Sequence, residues 1–583
     1  MRRVAFAAAV VLVACVLPAG RTIAATYVVD QANPQASDSG PGTEAAPLKT
    51  IQAVVPRLKP GDTVCVMEGN YAGRVTFPAG VSGKEGRKIT FRGLPRHAAR
   101  MQGFDTRNCD WLRIEGFAIT PADSNNRTES IGIRVASSHV EVVDNVFHKN
   151  RWFAISGRGA PEDNYKLASD VHVAFNRVYE CGFGFYISGR DWVVERNEAA
   201  RMQDLMPGAD CDYTRPFGVG HVVRDNRFHG STRKEVGESH IDGAQTYNVG
   251  GDYGANIVYE RNVVFDCGQA LYVSNSGKGM NKEMKNWQFR ENIISRSPGG
   301  DIVNSKAIST VYVPQVTAAH NTIVDMLYFG VSIHNCPNSV IVGNLVSMAP
   351  EYGYGGENLT GLTNDYNLLF KAKKPPFGAP GPHDLLDVDP LFVDAAKGNF
   401  RLRKGSPAIG AGEANSTIGA LEYPNVYYVD SQHPGADDGG FGYPGWPFKT
   451  VAAALKMAQA GETVVLRGGV YRETIRPPTD GVTLRAMKGE KVILSGADLI
   501  AGWERGKFGW LAPLEAAPKT VLCDGKKWTQ FTYDASARRI RLVGGTDPRL
   551  HVFETVVRGK AIDTAGRKDV IVQDIEIVNV LSE

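Results

Sequence analysis

Short runs of alternating apolar and polar residues follow one another along most of the chain, separated by turn residues. Such alternation predicts β-strands with one buried face. An asparagine followed by apolar alternation recurs at Asn145, Asn176, Asn197, Asn226, Asn262, Asn292, Asn321, Asn344 and Asn367. The intervals of 21 to 36 residues indicate single coils of a parallel β-solenoid, since the alternative β-propeller needs about 40 or more residues per blade. Because asparagine tolerates left-handed turns and hydrogen-bonds its neighbour in a stack, we expect one asparagine turn per coil.

The beginning of this pattern occurs twice, 400 positions apart. "YVVD" at Tyr27 recurs as "YYVD" at Tyr427, and "GDTV" at Gly61 recurs as "GETV" at Gly461. In both copies the segment between them, "KTIQAVVPRL" or "KTVAAALKMAQA", predicts a short amphipathic helix followed by a glycine turn and a strand. We therefore divide the mature chain into a β-helix over residues 26–423 and the start of a second β-helix over residues 424–583.

The second copy is shorter than the first and carries an insertion. Residues 495–562 predict a small β-rich lobe, after which coil-like sequence resumes as "DVIVQDIEIVN". The coils then stop at Glu583. Because an open solenoid end exposes strand edges and apolar core, we expect a further segment or a partner to cover it.

Several segments resemble a known family. "YVVD…PLKTIQ…GDTVCVMEGNY" and the asparagine coils resemble the right-handed parallel β-helix proteins of the pectate lyase superfamily. "DPLFVDAAKGNFRLRKGSPAIGAG", Asp389 to Gly412, resembles the closing segment of its secreted bacterial members. The resemblance covers about residues 27–423, and again from 426. It implies an all-β, right-handed parallel β-helix, but this fold carries lyases, hydrolases, epimerases and non-catalytic adhesins, so function has to be argued from a site.

The N-terminus and the charge balance restrict where the protein works and what it binds. Residues 1–25 have two arginines, an apolar run and small final residues, which predicts a signal peptide and a secreted or periplasmic protein. "LVAC", ending at Cys15, is also similar to a lipoprotein signal, which we regard as the weaker alternative. No later stretch approaches the ~20 apolar residues of a membrane span. Without Arg2, Arg3 and Arg21 the mature chain has 62 basic and 62 acidic residues, which gives no electrostatic case for binding nucleic acid.

The cysteines are predicted to be small buried apolar residues of the core. Seven remain after the signal peptide, an odd number without any CxxC pair. We therefore predict neither a zinc site nor a disulfide framework.

The candidate chemistry lies in "ESHIDGAQTYN", which runs from Glu238 to Asn248. Strand alternation directs His240 and Asp242 outward together, with Ile241 inward. Gly243 permits a kink, after which we expect the next polar side chains to share the outer face. The residues predicted to bind substrate in this groove are Gln245, Tyr247, Tyr272 and Tyr186.

Acidic residues at the corresponding places of neighbouring coils supply a second carboxylate. Coils are ~4.8 Å apart, and glycosidases hold their two carboxyls ~5–5.5 Å or ~6.5–9.5 Å apart. Crowded carboxylates also raise one another's pKa, as a general acid requires. We therefore predict glycosidic hydrolysis, with Asp242 as acid or base, Asp212 or Asp266 as the second carboxylate, and His240 beside them. The alternative for each acid is that it caps backbone amides at a turn.

Two other functions stay open from the sequence. A calcium-dependent polysaccharide lyase would use Asp210, Asp212 and Asp242 as calcium ligands and Lys278 or Arg215 as the base. A non-catalytic carbohydrate-binding or cell-surface protein would need neither calcium ligands nor a catalytic base. The hydrolase, which needs no cofactor, is the first choice, and a polysaccharide is the expected partner in all three cases.

Overall fold

The protein is described by a computed structural model over residues 24–123, 126–127, 129–158, 168–206, 208–248, 252–276, 279–302, 304–372, 376 and 378–581. Residues 1–23 of the predicted signal peptide lie outside these ranges. Within them, no helix is both long enough and apolar enough to cross a membrane.

The predicted parallel β-helix is confirmed, because strands of successive coils pair in parallel on three faces. Two long strands, Thr63–Thr76 and Ile89–Asp105, run through all three faces. The first face continues from Thr26–Val29 through Leu112–Glu115, Glu141–Val143, His172–Ala174, Val193–Glu195, Val222–Arg224, Ile257–Glu260, Trp287–Arg290, Val316–Ala319, Val340–Val342 and Thr363–Asp365. The second contains Phe117–Ile119, Val146–His148, Arg177–Tyr179, Glu198–Ala200, Arg227–His229, Val263–Phe265, Ile293–Ser295, Thr322–Val324, Leu345–Ser347, Leu368–Phe370 and Leu385–Leu386.

The third face carries the residues on which function depends. It begins with Ile133–Arg134, Phe153–Ser156, Phe183–Ile187 and Thr214–Pro216. It continues as a five-stranded parallel sheet, here called the site sheet, made of Asp242–Tyr247, Gln269–Ser274, Lys306–Val311, Phe329–His334 and Tyr352–Gly355. Short pairs lie beside the coils, parallel in Gly218–Val219 with Gly254–Ala255 and antiparallel in Phe392–Asp394 with Asn399–Leu402.

The predicted asparagine turn is a continuous buried ladder. All nine asparagines are completely buried. Each backbone N–H from Asn145 to Asn344 donates to the side-chain oxygen of the next asparagine, at 2.9 to 3.1 Å. The last member, Asn367, donates to Asp384. Because each side-chain amide also donates to a main-chain carbonyl, the ladder satisfies polar groups that the apolar core cannot.

The second copy repeats the first contact by contact. The Asp38 carboxylate accepts the N–H groups of residues 49 and 50, and the Asp438 carboxylate accepts those of residues 449 and 450. The Tyr71 hydroxyl donates to the carbonyl of residue 67, and the Tyr471 hydroxyl to that of residue 467. The second copy has its own apolar core, around Val464 and Leu484. Where the chain divides into domains stays a prediction.

The predicted helix forms in the second copy only. Val451–Met457 is an α-helix capped by the side chain of Thr450. The first copy has a single 3-10 turn at Val55–Arg57, because Pro56 lacks an N–H and disfavours helical geometry in the residue before it. Among the residues that the structure describes, the other helical segments are Arg233–Val236, Ala395–Lys397, Glu413–Asn415 and Pro548–Leu550.

The second copy pairs in parallel, whereas its insertion is an antiparallel lobe. The parallel strands are Val426–Val429, Thr463–Leu466, Thr483–Ala486 and Ile571–Gln573, with Gly469–Tyr471, Val492–Ser495 and Ile575–Val578 beside them. The antiparallel strands are Ala497–Leu499, Glu504–Gly506, Gly509–Pro513, Val521–Cys523, Lys526–Trp528, Phe531–Asp534, Arg539–Leu542 and Phe553–Val556. Ile571 and Ile577 in the last strands are exposed, and the covering partner expected there stays a prediction.

The second copy packs against the side of the first β-helix through buried ion pairs. Arg196 donates to Asp430 at 2.6 Å, and Arg467 donates to Asp225 at 3.2 Å. The His433 ring bonds the carbonyl of Asp225 at 3.0 Å. These charged side chains are at least nine-tenths buried, so the contact is a packed interface.

Candidate functional site

The site sheet places its polar side chains by the same irregularity on every coil. In each pairing the register stays constant, but one residue on each strand has no partner in the ladder. At this place two successive residues face the core. These pairs include Ala270 with Leu271 and Ala307 with Ile308. The residues on either side of each pair therefore share the outer face, although simple alternation would separate them. At Gly243 and Ala244 this is the kink predicted from the sequence.

The consequence is a direct contact within the predicted motif. The Gln245 side-chain amide donates to Asp242 Oδ2 at 3.0 Å. Asp242 Oδ1 accepts the N–H of Gln269 on the next coil at 3.1 Å, and the N–H of Asp242 donates to Asp212 Oδ1 on the preceding coil at 3.1 Å. Asp242 thus connects three successive coils.

A buried guanidinium completes the cluster. Arg215 donates through Nε to Asp212 Oδ2 at 2.6 Å and through Nη2 to Asp210 Oδ2. Asp212 is fully buried and Asp242 is 1% exposed, whereas the side chain of Asp210 is one-third exposed. Asp210 is therefore the carboxylate of the cluster that meets solvent.

Burial separates the protonation states of the two inner carboxyls. Burial raises the pKa of Asp212 to about 6, against the lowering effect of the Arg215 charge. Burial and the neighbouring Asp212 raise the pKa of Asp242 well above its usual range. The two carboxyls thus differ in proton affinity, with Asp242 holding its proton more tightly than Asp212, whose charge Arg215 balances.

Three of the remaining predicted residues occupy different surroundings. His240 is exposed and lies just before the strand, whereas Asp242, at the first position of the strand, is buried. Tyr272 is half-buried on the outer face, in register with Gln245. Tyr247 is half-buried, with its ring 5.5 Å from that of Phe217.

Tyr186 does not line an open groove. It is buried in an aromatic cluster, and its ring stacks on Phe217 with the centroids 5.2 Å apart. This packing makes the residue structural.

Asp266 caps backbone amides at turns, which the sequence analysis gave as the alternative role for each acid. Its carboxylate accepts the N–H groups of Gly230 and Ser297 at 2.8 and 2.9 Å, and the hydroxyl of Ser297 at 2.6 Å. It is also 1% exposed. Both oxygens hold turns together, which is the capping role.

The predicted calcium ligands do not fit a calcium ion. Arg215 donates to Asp210 and Asp212, and main-chain and side-chain amides donate to both oxygens of Asp242. A cation would have to displace a guanidinium that already balances these charges. Of the proposed bases, Arg215 is committed to this ion pair, and Lys278 lies outside the described residues.

Two polar residues of the outer face were missed from the sequence. Gln269 and Lys306 stand in register with Asp242 on the next two coils, and both are half-buried. The Lys306 ammonium lies 5.8 Å from the centre of the Phe329 ring. Aligning the strands on their paired inward residues would have found both.

Comparisons with known proteins give relatives of the fold and one short sequence match. No family profile matches the chain. It is 28% identical over 128 residues to the uncharacterized protein YwoF of Bacillus subtilis (strain 168), across 19% of this chain and 27% of that protein. The match thus spans about a quarter of that relative.

Solved structures similar to this chain include three enzymes. A variant of the PL6 family alginate lyase AlyGC has 16% identity and a TM-score of 0.36, over 77% of this chain and 68% of that one. Pectate lyase Pel9A has 17% identity and a TM-score of 0.38, over 68% and 96%. The A-module of a mannuronan C-5 epimerase from Azotobacter vinelandii has 12% identity and a TM-score of 0.39, over 58% and 92%. At such identities the likeness concerns the fold, which for this chain rests on its own strand pairing.

Proposed function

We propose that the protein binds a polysaccharide along the outer face of the site sheet and cleaves its glycosidic bonds by hydrolysis. The observation that carries this proposal is the buried carboxyl pair on adjacent coils: the Asp242 N–H donates to Asp212 Oδ1, Arg215 balances the charge of Asp212, and burial raises the pKa of Asp242. Cleaving a glycosidic bond requires a proton for the departing sugar oxygen, and a buried carboxyl with a raised pKa can still donate one at neutral pH.

The second carboxylate of this mechanism is Asp210. It is one-third exposed and is held by Arg215, so it can face a water molecule, whereas Asp212 cannot. In this assignment Asp212 is a positioning residue that holds both Arg215 and the backbone of Asp242. Gln245 and Tyr272 lie beside the acid on the outer face and contact the sugar.

The test compares the wild type with Asp242→Asn and Asp210→Asn on a panel of plant, algal and bacterial polysaccharides. New reducing ends, ultraviolet absorbance from unsaturated ends and binding are measured separately, with and without EDTA. We expect each variant to bind the substrate of the wild type and to form reducing ends at least about 100-fold more slowly. Asp170→Asn, at an exposed carboxylate remote from the site sheet, is the matched control and is expected to keep full activity.

The products decide between the remaining functions. Unsaturated ends would replace hydrolysis by β-elimination, and their loss with EDTA would also contradict the argument against a calcium site. Binding without cleavage by the wild type would favour a carbohydrate-binding protein. Full activity of Asp242→Asn would exclude Asp242 as the proton donor.

A further inference from the structure

The strand Phe329–His334 of the site sheet carries a serine and a histidine in hydrogen-bond contact. The Ser332 hydroxyl lies 3.0 Å from His334 Nε2. Val331 and Ile333 lie in the core, so Ser332 and His334 both face outward. A serine hydroxyl at this distance from an imidazole nitrogen has the geometry of a nucleophile with its general base.

A second serine on the preceding coil has no partner for its hydroxyl. Ser309 stands in register with Ser332, on a strand ~4.8 Å away. It is 1% exposed, and its Oγ forms no hydrogen bond. Leaving a buried hydroxyl unsatisfied costs about 1–3 kcal/mol, so a group that supplies the missing partner would be bound there.

Both serines lie below the surface of the outer face, which favours a small group over a long one. Ser332 is 2% exposed, so little of its side chain meets solvent. Tyr272 and Phe329 are neighbours of the two serines on the same outer face, and both are half-buried. Ser332 is three coils from Gln245 on the face proposed to bind polysaccharide.

From these contacts we propose that the protein also hydrolyses small acyl esters, such as acetyl groups, on the hydroxyls of a sugar. Ser332 Oγ attacks the acyl carbonyl carbon while His334 Nε2 takes the hydroxyl proton. The Ser309 hydroxyl donates to the carbonyl oxygen as it gains negative charge.

The second half of the reaction returns the enzyme to its starting state. The bond from the acyl carbon to the sugar oxygen breaks, and the sugar leaves with the proton held by His334. Water then attacks the acyl-Ser332 ester and gives its proton to His334. The bond from the acyl carbon to Ser332 Oγ then breaks, Oγ takes the proton from His334, and the carboxylic acid leaves, so water is the only co-reactant.

The experiment measures acetate released from acetylated xylan, pectin and alginate, and covalent labelling by a fluorophosphonate probe mapped by mass spectrometry. We expect the wild type to release acetate and to be labelled at Ser332. Ser332→Ala and His334→Gln are expected to lower acetate release at least about 100-fold. Ser309→Ala is expected to lower it about 10-fold or more while Ser332 is still labelled.

Controls separate this activity from folding and from glycosidic cleavage. Ser347→Ala removes a buried serine from another face and is expected to change nothing. Acetate and new reducing ends are measured on the same samples, so that a loss of acetate release in Ser332→Ala is separated from any change in glycosidic cleavage. The proposal is overturned if the wild type is not labelled at Ser332, if no substrate loses acetate, or if folded Ser332→Ala releases acetate at the rate of the wild type.

Discussion

At the scale of single residues, Asp212 and Asp242 are carboxyls whose ionised form is destabilised by burial. Neither has more than 1% of its surface exposed, and only Asp212 has a cationic partner, Arg215. Burial and the neighbouring Asp212 therefore raise the pKa of Asp242. The arrangement proposed to provide a proton donor thus also makes the folded state sensitive to pH.

The stability of the protein should reveal this coupling. Because the folded state binds the Asp242 proton more tightly than the unfolded state, this group lowers stability as the pH rises from about 4 toward its raised pKa. The loss is about 1.4 kcal/mol per pH unit inside that window. Asp242→Asn removes it, so the free energy of unfolding of the variant minus that of the wild type should increase with pH in urea titrations.

Glu195 provides the opposite case as a control. His172 and Arg224 lower its pKa to about 2, against the effect of burial. Its contribution to stability is present above the unfolded pKa of about 4.3 and is lost as the pH falls toward 2. The free energy of unfolding of Glu195→Gln should therefore approach that of the wild type as the pH is lowered. Parallel curves for Asp242→Asn and the wild type above pH 4 would contradict a raised pKa of Asp242.

At the scale of elements, the asparagine ladder binds the coils to one another. Asn292 accepts from the N–H and the side chain of Asn262, and it donates to Asn321 and to the carbonyl of Tyr259. All of these groups are buried, so no water replaces a missing partner. Each rung therefore contributes through the groups that it keeps satisfied.

Removing one rung should be costly. Asn292→Ala is expected to lower the free energy of unfolding by about 3 kcal/mol, because it leaves a main-chain N–H and a carbonyl without partners. Asn286→Gly removes a similar stacked contact at an exposed turn, where water substitutes, and should cost less than about 1 kcal/mol. Urea denaturation of both variants measures the difference. Equal losses of stability in the two variants would mean that burial does not determine the cost of removing a rung.

The elements also show how far the sequence predicts this molecule. The ladder and the repeated beginning were predictable, because each depends on a residue type recurring at a fixed place in the coil. The missing helix at Val55–Arg57 was not, since a single proline overrode the amphipathic pattern. In the site, the contact between Gln245 and Asp242 follows from the kink at Gly243. The partners of Asp266 lie 31 and 36 residues away on other coils, and no local pattern identifies them.

At the scale of the whole molecule, the second copy is held against the first by buried charges. The carboxylate of Asp225 accepts from Arg261 of the same β-helix at 2.8 Å and from Arg467 of the second copy at 3.2 Å. Ion pairs of this kind contribute little relative to apolar packing, but breaking one leaves a buried charge without its partner. The interface should therefore tolerate the loss of both charges better than the loss of one.

Asp225→Asn is expected to destabilise the protein by about 3 kcal/mol, because Arg467 and Arg261 lose a shared buried partner. Asp225→Asn combined with Arg467→Gln should cost less than the sum of the single losses, with a coupling above about 1 kcal/mol in thermal or urea unfolding. Asp170→Asn, at an exposed ion pair, should change stability by less than about 1 kcal/mol. Additive losses of stability would mean that Asp225 and Arg467 do not interact energetically.

The ladder has a consequence for how such a molecule changes over generations. Neighbouring rungs are 21 to 36 residues apart in the chain, yet every junction between them has the same hydrogen bonds. Insertions and deletions in the loops that leave one rung and return to the next therefore do not disturb the spine. Selection can lengthen, shorten or replace the walls around the site sheet one coil at a time. A new specificity can then arise without a new scaffold.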